Sequence, residues 1–306
     1  MAKTPLVSIL MPAFNAEQHI AQAIESVLQQ TYPHFELLIL NDGSTDRTQQ
    51  IVDQFSDARI IKIQLSQNKG LVSARNQLVA SAKGDYIAFL DADDVALPNR
   101  LQLQVSYLEA RNIDICGGAH YSLYEGSGKR KSSKQRYSDS DIRALMTICS
   151  PLCNPAVMGR AEVFKKHPYQ FGKDGAEDYS LWAELALAGY RFANLREKLI
   201  NYRIHAKQTS QVQNAQINRV FDASRMAYLE GLGMTDYFPP NAISFFKRWN
   251  LAIPFMLKLN QKIPGISVMA NYEIYARFQF RGNGIFTPFT RLERLLVSIL
   301  ASFKGR

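Results

Sequence analysis

A chain of 306 residues with 46% hydrophobic content can bury a large core, which excludes a disordered chain and fits one large domain or two ordinary ones. Three cysteines, Cys116, Cys149 and Cys153, form an odd set without a C-x-x-C pair; neither a disulfide framework nor a zinc site is indicated, and small buried hydrophobes are the expected role. The net charge of +9 is concentrated at one end: residues 241–306 carry ten Lys and Arg against two Glu, hence +8, which leaves +1 for the first 240 residues. No leading stretch combines a basic start, an apolar run and a cleavage site, so a cytoplasmic protein is expected.

Short apolar runs alternating with helical periodicity predict an α/β fold with a mostly parallel central sheet flanked by helices. Residues 7–11 read as the first strand. Asn15, with Gln18 three residues on, is placed to cap a helix along which Ile20, Ala23, Ile24, Val27 and Leu28 recur at helical spacing. A second strand over 35–40 ends in Asn41-Asp42-Gly43-Ser44-Thr45-Asp46, a turn and helix cap before a helix to about Phe55. Residues 59–65 alternate as a third strand, and Asn68-Lys69-Gly70 turns into a helix presenting Leu71, Ala74, Leu78 and Ala82 on one face.

A fourth strand over 86–90 ends in Asp91-Ala92-Asp93-Asp94, with Pro98 in the first turn of the next helix. A fifth is expected over 113–117. The polar Gly/Ser-rich stretch 126–134 has no apolar period and reads as a mobile loop. Residues 154–159 look strand-like, 177–188 form a helix closed by Gly189, and 199–204 form a further strand. The sheet domain is expected to span 1–210. A helical, basic extension over 211–306 follows, with apolar or amphipathic segments at 215–229, 249–259, 272–280 and 292–303.

In open α/β sheets ligands bind beyond the carboxyl ends of strands, so polar residues directly after apolar runs are the first candidates. The first strand delivers Pro12-Ala13-Phe14-Asn15, the second Asp42-Gly43-Ser44 and the fourth Asp91-Ala92-Asp93. Asp42-Gly43-Ser44 taken singly reads as a capped turn. Two carboxylates at one strand end repel each other, and a divalent cation such as Mg2+ or Mn2+ relieves that repulsion while bridging to substrate phosphates. No G-x-x-x-x-G-K-S/T loop and no G-x-G-x-x-G turn is present, which argues against a P-loop enzyme and a dinucleotide enzyme.

Taken as a set, the run from Val7 to Asn15, Asn41-Asp42-Gly43-Ser44-Thr45-Asp46, Asn68-Lys69-Gly70 with Arg75-Asn76, the run from Gly84 to Asp94, and Glu177-Asp178 resemble the family-two glycosyltransferases of GT-A fold, inverting enzymes of bacterial polysaccharide and lipopolysaccharide synthesis. The resemblance covers about residues 5–210 and stops there. It implies that Pro12, Ala13, Phe14 and Glu17, with Asn15 beside them, line a nucleoside pocket and that Asp42 takes a hydrogen bond from the base. It also implies that Gly70 and Arg75 lie near the donor, with Asp91 at the ribose, Ala92 packed between and Asp93 on a Mn2+ or Mg2+ ion. Glu17 reads equally as an acid complementing a helix dipole, and Arg75 as a helix-surface cation.

Asp178, in Gly175-Ala176-Glu177-Asp178-Tyr179 at a helix start, is the expected catalytic base, because a single displacement needs a carboxylate to take the proton of the attacking hydroxyl. Glu177 either orients the acceptor or caps the helix. His205, after a strand, is a candidate third metal ligand, with a structural histidine as the plainer account. The partners implied are a nucleoside-diphosphate sugar, a UDP-sugar by resemblance, and a glycan or lipid-linked acceptor; no nucleic acid is expected. A non-catalytic nucleotide-sugar scaffold and a sugar nucleotidyltransferase are the alternatives, opposed by the retained Asp93 and Asp178 and by the absence of a Gly-rich basic first loop.

Leu292, Leu295, Leu296, Ile299 and Phe303 share one helical face with Arg291, Arg294, Lys304 and Arg306 nearby. That pattern fits either an interfacial helix on the inner face of the cytoplasmic membrane or a helix packed on the protein's own core. It is too short an apolar run to span a bilayer.

Overall fold

The computed structural model describes residues 4–205, 208, 215–235, 245–280 and 290–304. Alternation sets the layers. In β1 (Val7–Ala13), Val7, Ile9 and Met11 join the core on one face of the sheet and Leu10 joins the core on the other. The expected βα units follow as α1 (Ile20–Leu28), β2 (Phe35–Asn41), α2 (Thr48–Asp53), β3 (Ile60–Gln64), α3 (Leu71–Ser81) and β4 (Tyr86–Phe89). These four strands lie parallel in the order β3-β2-β1-β4, so their carboxyl ends, and the polar residues that follow them, open on the same edge.

The chain continues through β5 (Val95–Ala96), α4 (Arg100–Ala110), β6 (Ile115–Tyr124), β7 (Arg130–Ser132), α5 (Asp139–Leu145), a 3-10 turn (Asn154–Ala156), β8 (Met158–Arg160), α6 (Ala161–Lys166), α7 (Glu177–Leu187) and β9 (Phe192–Ile204). Among the described residues the sheet runs on from β4 through β8, β6 and β9 to β5, with β7 paired to β6. β8 is antiparallel to both of its neighbours, whereas β6 and β9 form a long parallel ladder.

Three elements differ from the sequence expectation. Stretch 126–134 is not a loop throughout: Arg130–Ser132 is a strand, with the Arg130 guanidinium 3.6 Å from the centroid of the Tyr121 ring across the pair. Its residues are exposed on both faces, which is why no apolar period marks it. β9 begins at Phe192, well before Leu199, and the register with β6 shifts around Gly118 and Ala119, which breaks the alternation that sequence reading depends on. Within 154–159 the first residues form a 3-10 turn, and pairing starts only at Met158.

The C-terminal part is helical, as expected: α8 (Ala215–Gly231), α9 (Phe245–Lys262), α10 (Val268–Phe280) and α11 (Thr290–Lys304). Phe255, Met256, Leu259, Ile274, Tyr275, Val297 and Ala301 form a separate core with Ala144 and Leu145 of α5. Inside it Asn260 and Asn271 hydrogen-bond each other at 3.0 and 3.2 Å, so these buried amides are paired. The expected boundary at 210 lies outside the described residues.

Candidate active site

A cavity of about 660 Å³ opens at the carboxyl ends of β1 and β4. Pro12, Phe14, Asn15, Glu17, Arg75, Asp91, Ala92, Asp93, Glu177, Asp178 and His205 all line it, so residues spread over the chain converge on one space. Ala13, Asp42 and Gly70 do not line it.

Asp42 is buried, and its two oxygens accept hydrogen bonds from the Lys69 and Gly70 backbone N–H groups at 2.8 and 2.9 Å. Gly43 permits this close approach: its φ is +68°, and a Cβ there would lie 2.4 Å from the backbone carbonyl carbon of Gln67. Asn15 does not cap the first helix, which begins at Ile20 with no side-chain cap. With φ at 49°, Asn15 instead joins two strand-end loops: its N–H donates to Ser44 Oγ at 2.9 Å and its Oδ1 accepts from the Thr45 N–H at 2.9 Å. Glu17 pairs with Arg47 at 3.1 Å across the same two loops, rather than serving the helix dipole.

Beyond β4, one oxygen each from Asp91, Asp93 and Asp94 lies within 4.8 Å of the others. Burial pushes the Asp91 carboxyl up to about 6, with Arg75 opposing and the Asp93 and Glu177 charges adding. Asp94 is fully buried; burial and then the charges of Asp93 and Asp91 hold it well above the usual carboxylate range. One Asp94 oxygen accepts from the Arg203 N–H at 2.8 Å, and Oδ2 has no partner among the described residues. Arg203 also donates through Nε to the Asp93 carbonyl at 2.8 Å, so the end of β9 holds the acidic turn in place. Directly after that strand comes His205, whose Nε2 lies 2.9 Å from Asp93 Oδ2. Three carboxylates, one of them Asp94 with an orphaned buried oxygen, and the imidazole beside Asp93 are a donor set that fits Mn2+ or Mg2+.

Facing this turn is the start of α7. Gly175 precedes it at φ +84°, where a Cβ would meet Ile217 Cγ1 at 2.5 Å. Asp178 Oδ1 accepts from the Tyr179 N–H at 2.6 Å. Burial first, and then the Glu177 charge, push the Asp178 carboxyl up to about 6 against the opposing pull of Arg75. Glu177 does not cap the helix: its Oε1 pairs with Arg75 Nη1, and its Oε2 has no partner among the described residues. Arg75 is not a surface cation either. It is 4% exposed and also reaches Asp91 Oδ1 at 3.4 Å.

Sequence reading assigned no role to Asp94, His19, Asn154 or Gln208. Asp94 had a signal in its place beside Asp93. Asn154 had none, because its position beside the acidic turn depends on β8 pairing with β4.

The family model for glycosyl transferase family 2 matches residues 8–167. The chain belongs to glycosyl transferase family 2. An uncharacterized glycosyltransferase of Haemophilus influenzae is 35% identical over 231 residues, 71% of each chain. The Escherichia coli family relative WfgD, a UDP-Glc:alpha-D-GlcNAc-diphosphoundecaprenol beta-1,3-glucosyltransferase, is 36% identical over 182 residues, 59% of this chain and 69% of that one. Among solved structures, S. aureus TarS 1–349 in complex with UDP-GlcNAc superposes with a TM-score of 0.61 at 15% identity, covering 97% of this chain and 90% of that one. This glycosyltransferase thus has the α/β fold its motifs implied. The family match ends before Glu177, Asp178 and His205, so their assignment rests on the geometry above.

Proposed function

We propose that this family-two glycosyltransferase moves a sugar with inversion from a UDP-sugar to a hydroxyl of a glycan or lipid-linked acceptor in cell-surface polysaccharide synthesis. The observation that carries this reading is that Asp178 and the Asp91–Asp94 turn face one cavity from opposite elements. The UDP-Glc and diphosphoundecaprenol substrates in the name of WfgD support a uridine donor and a lipid-linked acceptor, and the UDP-GlcNAc held by TarS supports the donor alone.

In this mechanism Pro12, Phe14, Asn15 and Glu17 hold the nucleoside beside the loop after β2, with Ala13, Asp42 and Gly70 shaping that wall from behind, and Asp91 takes the ribose. Asp178 accepts the acceptor hydroxyl's proton while that oxygen bonds to the anomeric carbon. The bond from that carbon to the diphosphate oxygen breaks, and its electron pair leaves with the diphosphate. A Mn2+ or Mg2+ ion held by Asp93 and His205, with Asp91 and Asp94 beside them, would supply Lewis-acid stabilisation of the leaving group. Asp93→Ala is therefore expected to abolish the divalent dependence of UDP binding while the fold persists. Calorimetry of UDP with and without chelator checks this, and equal affinities in the native protein would count against the ion.

The enzyme's second site of action is the membrane surface. Val297, Ser298 and Ala301 of α11 are buried, while Leu295, Leu296 and Leu300 are 42%, 52% and 56% exposed. One side of the helix packs on the core, and the exposed leucines beside it support the reading of a face that enters a lipid interface. The side chains of Leu292 and Phe303, and of most of the basic residues in the tail, lie outside the described residues. Among the described residues no helix is long and apolar enough to cross a membrane, so an interfacial attachment is proposed, on the inner face of the cytoplasmic membrane. The protein should float with anionic vesicles and release at high salt, because +8 resides in residues 241–306. Leu296→Asp with Leu300→Asp should abolish flotation; retention by that variant would refer binding elsewhere.

A further inference from the structure

Among the described residues that line the cavity, Asn154 is left with both polar atoms of its side chain unpartnered, in a way that packing does not explain. Asn154 lines the cavity and is 5% exposed, yet neither its Oδ1 nor its Nδ2 meets a hydrogen-bond partner among the described residues. A buried amide with both ends unpaired costs stability, and such groups in folded proteins call for a partner that is missing from the isolated chain.

The backbone beneath it is fixed. The Ala156 N–H donates to the Cys153 carbonyl at 2.8 Å and the Val157 N–H to the Asn154 carbonyl at 2.9 Å. The buried Arg100 and Gln104 hold the Val157 and Ala156 carbonyls at 3.3 and 3.0 Å. The turn thus needs nothing from the Asn154 side chain. A rigid backbone that presents an unpaired donor and acceptor is a recognition device, since little ordering is left to occur on binding.

Sheet order says which part of a ligand it meets. β1, with Pro12 and Phe14 at its end, β4, with the acidic turn, and β8, with Asn154 just before it, are consecutive neighbours. A nucleotide sugar laid along this edge with its nucleoside over β1 and its diphosphate at β4 puts the sugar at β8. Asn154 also sits next to the reacting groups: after burial, the charges of Asp94, Asp91 and Asp178 are what raise the thiol of the adjacent Cys153. Glu177, whose Oε2 has no partner among the described residues, lines the same cavity beside Asp178.

Resting on the donor reading above, we propose that Asn154 is a specificity-determining residue that reads the transferred sugar, its Nδ2 donating to and its Oδ1 accepting from neighbouring ring hydroxyls, with Glu177 Oε2 accepting from a third. A site built to hydrogen-bond a hydroxyl rejects an epimer that leaves its polar groups unpaired.

The test compares the native chain with Asn154→Leu, which keeps the branched shape and removes both polar atoms, and Asn154→Asp, which keeps acceptor oxygens and loses the amide donor. Hydrolysis of UDP-glucose, UDP-galactose and UDP-GlcNAc, affinity for UDP alone and thermal stability are measured for each. Both variants should bind UDP as the native protein does, and Asn154→Leu should melt at the same temperature or higher. Its kcat/KM for the preferred sugar should fall about 10–100-fold, as two hydrogen bonds are lost, and the ratios between sugars should collapse towards one. Asn154→Asp should retain part of both. A fall in melting temperature with the ratios preserved would show a structural amide and overturn the proposal, as would an equal loss in UDP affinity. A native protein that hydrolyses none of the three would instead sink the donor reading beneath it, whereas a discriminating native protein and an equally discriminating variant sink only the role of Asn154.

Discussion

Asp178→Asn is expected to lower the transfer rate constant by about 10²–10⁴-fold while UDP-sugar affinity stays within about twofold, because the amide keeps the carboxylate's shape and cannot take a proton. Asp178 Oδ1 already accepts from the Tyr179 N–H, so the side chain is oriented before substrate arrives. Its carboxyl is pushed up to about 6 by burial and the Glu177 charge, which suits the base role proposed for it near neutral pH. The sign follows directly: only the deprotonated form accepts the hydroxyl proton, so native activity is full above that value and falls about tenfold per unit as pH drops below it. The residual activity of Asp178→Asn should fall less steeply there, since of the two carboxyls raised to about 6 only Asp91 still titrates. The product anomer should be inverted, which the anomeric proton signal reports; a retained configuration or near-native turnover in the variant would remove Asp178 from the role of base.

Arg75→Met should destabilise the fold by about 3–5 kcal/mol, the usual cost of leaving one partner of a buried ion pair uncompensated. The guanidinium is 4% exposed, pairs with the equally buried Glu177, reaches Asp91 at 3.4 Å and lies 5.5 Å from the centroid of the Tyr169 ring. Few kcal/mol separate a folded domain from its unfolded state, so this single change consumes much of the margin. Adding Glu177→Leu should recover most of the loss, since a hydrophobic pair of similar volume replaces a charge pair at little cost. Transfer should stay impaired in the double variant, because Arg75 also pairs with Asp91 of the acidic turn. Urea denaturation decides the point: if the double variant is as unstable as the single one, Arg75 acts through packing or through Asp91 and not by neutralising Glu177.

These two residues also mark how far local reading goes. The parallel sheet, the strand-end loops and the acidic turn were legible because each depends on near neighbours: apolar runs of strand length, helical periodicity and polar residues where a strand stops. Asp178 at a helix start was legible for the same reason. β7 and the first half of β9 were not, since exposure on both faces in one and a register shift in the other erase the period of two.

The site's electrostatics needed the folded chain. Arg75 sits on a helix whose periodicity says nothing of its burial; α7, carrying Glu177, comes from 102 residues later to cover it. A separation of 112 residues lies between Asp93 and His205, which the end of β9 brings to 2.9 Å, and 109 and 110 residues separate Asp94 and Asp93 from Arg203, which holds their turn. Asn154 shows the limit most clearly. In the sequence Asn154 reads only as the start of a strand-like run, and only the pairing of β8 beside β4 places its unpaired amide next to the acidic turn. Composition and periodicity determine which segments become strands and helices, because those preferences act within a few residues. Which charges are buried together, and which polar groups are left for a ligand, is settled by contacts between segments far apart in the chain, where burial makes each partner decisive.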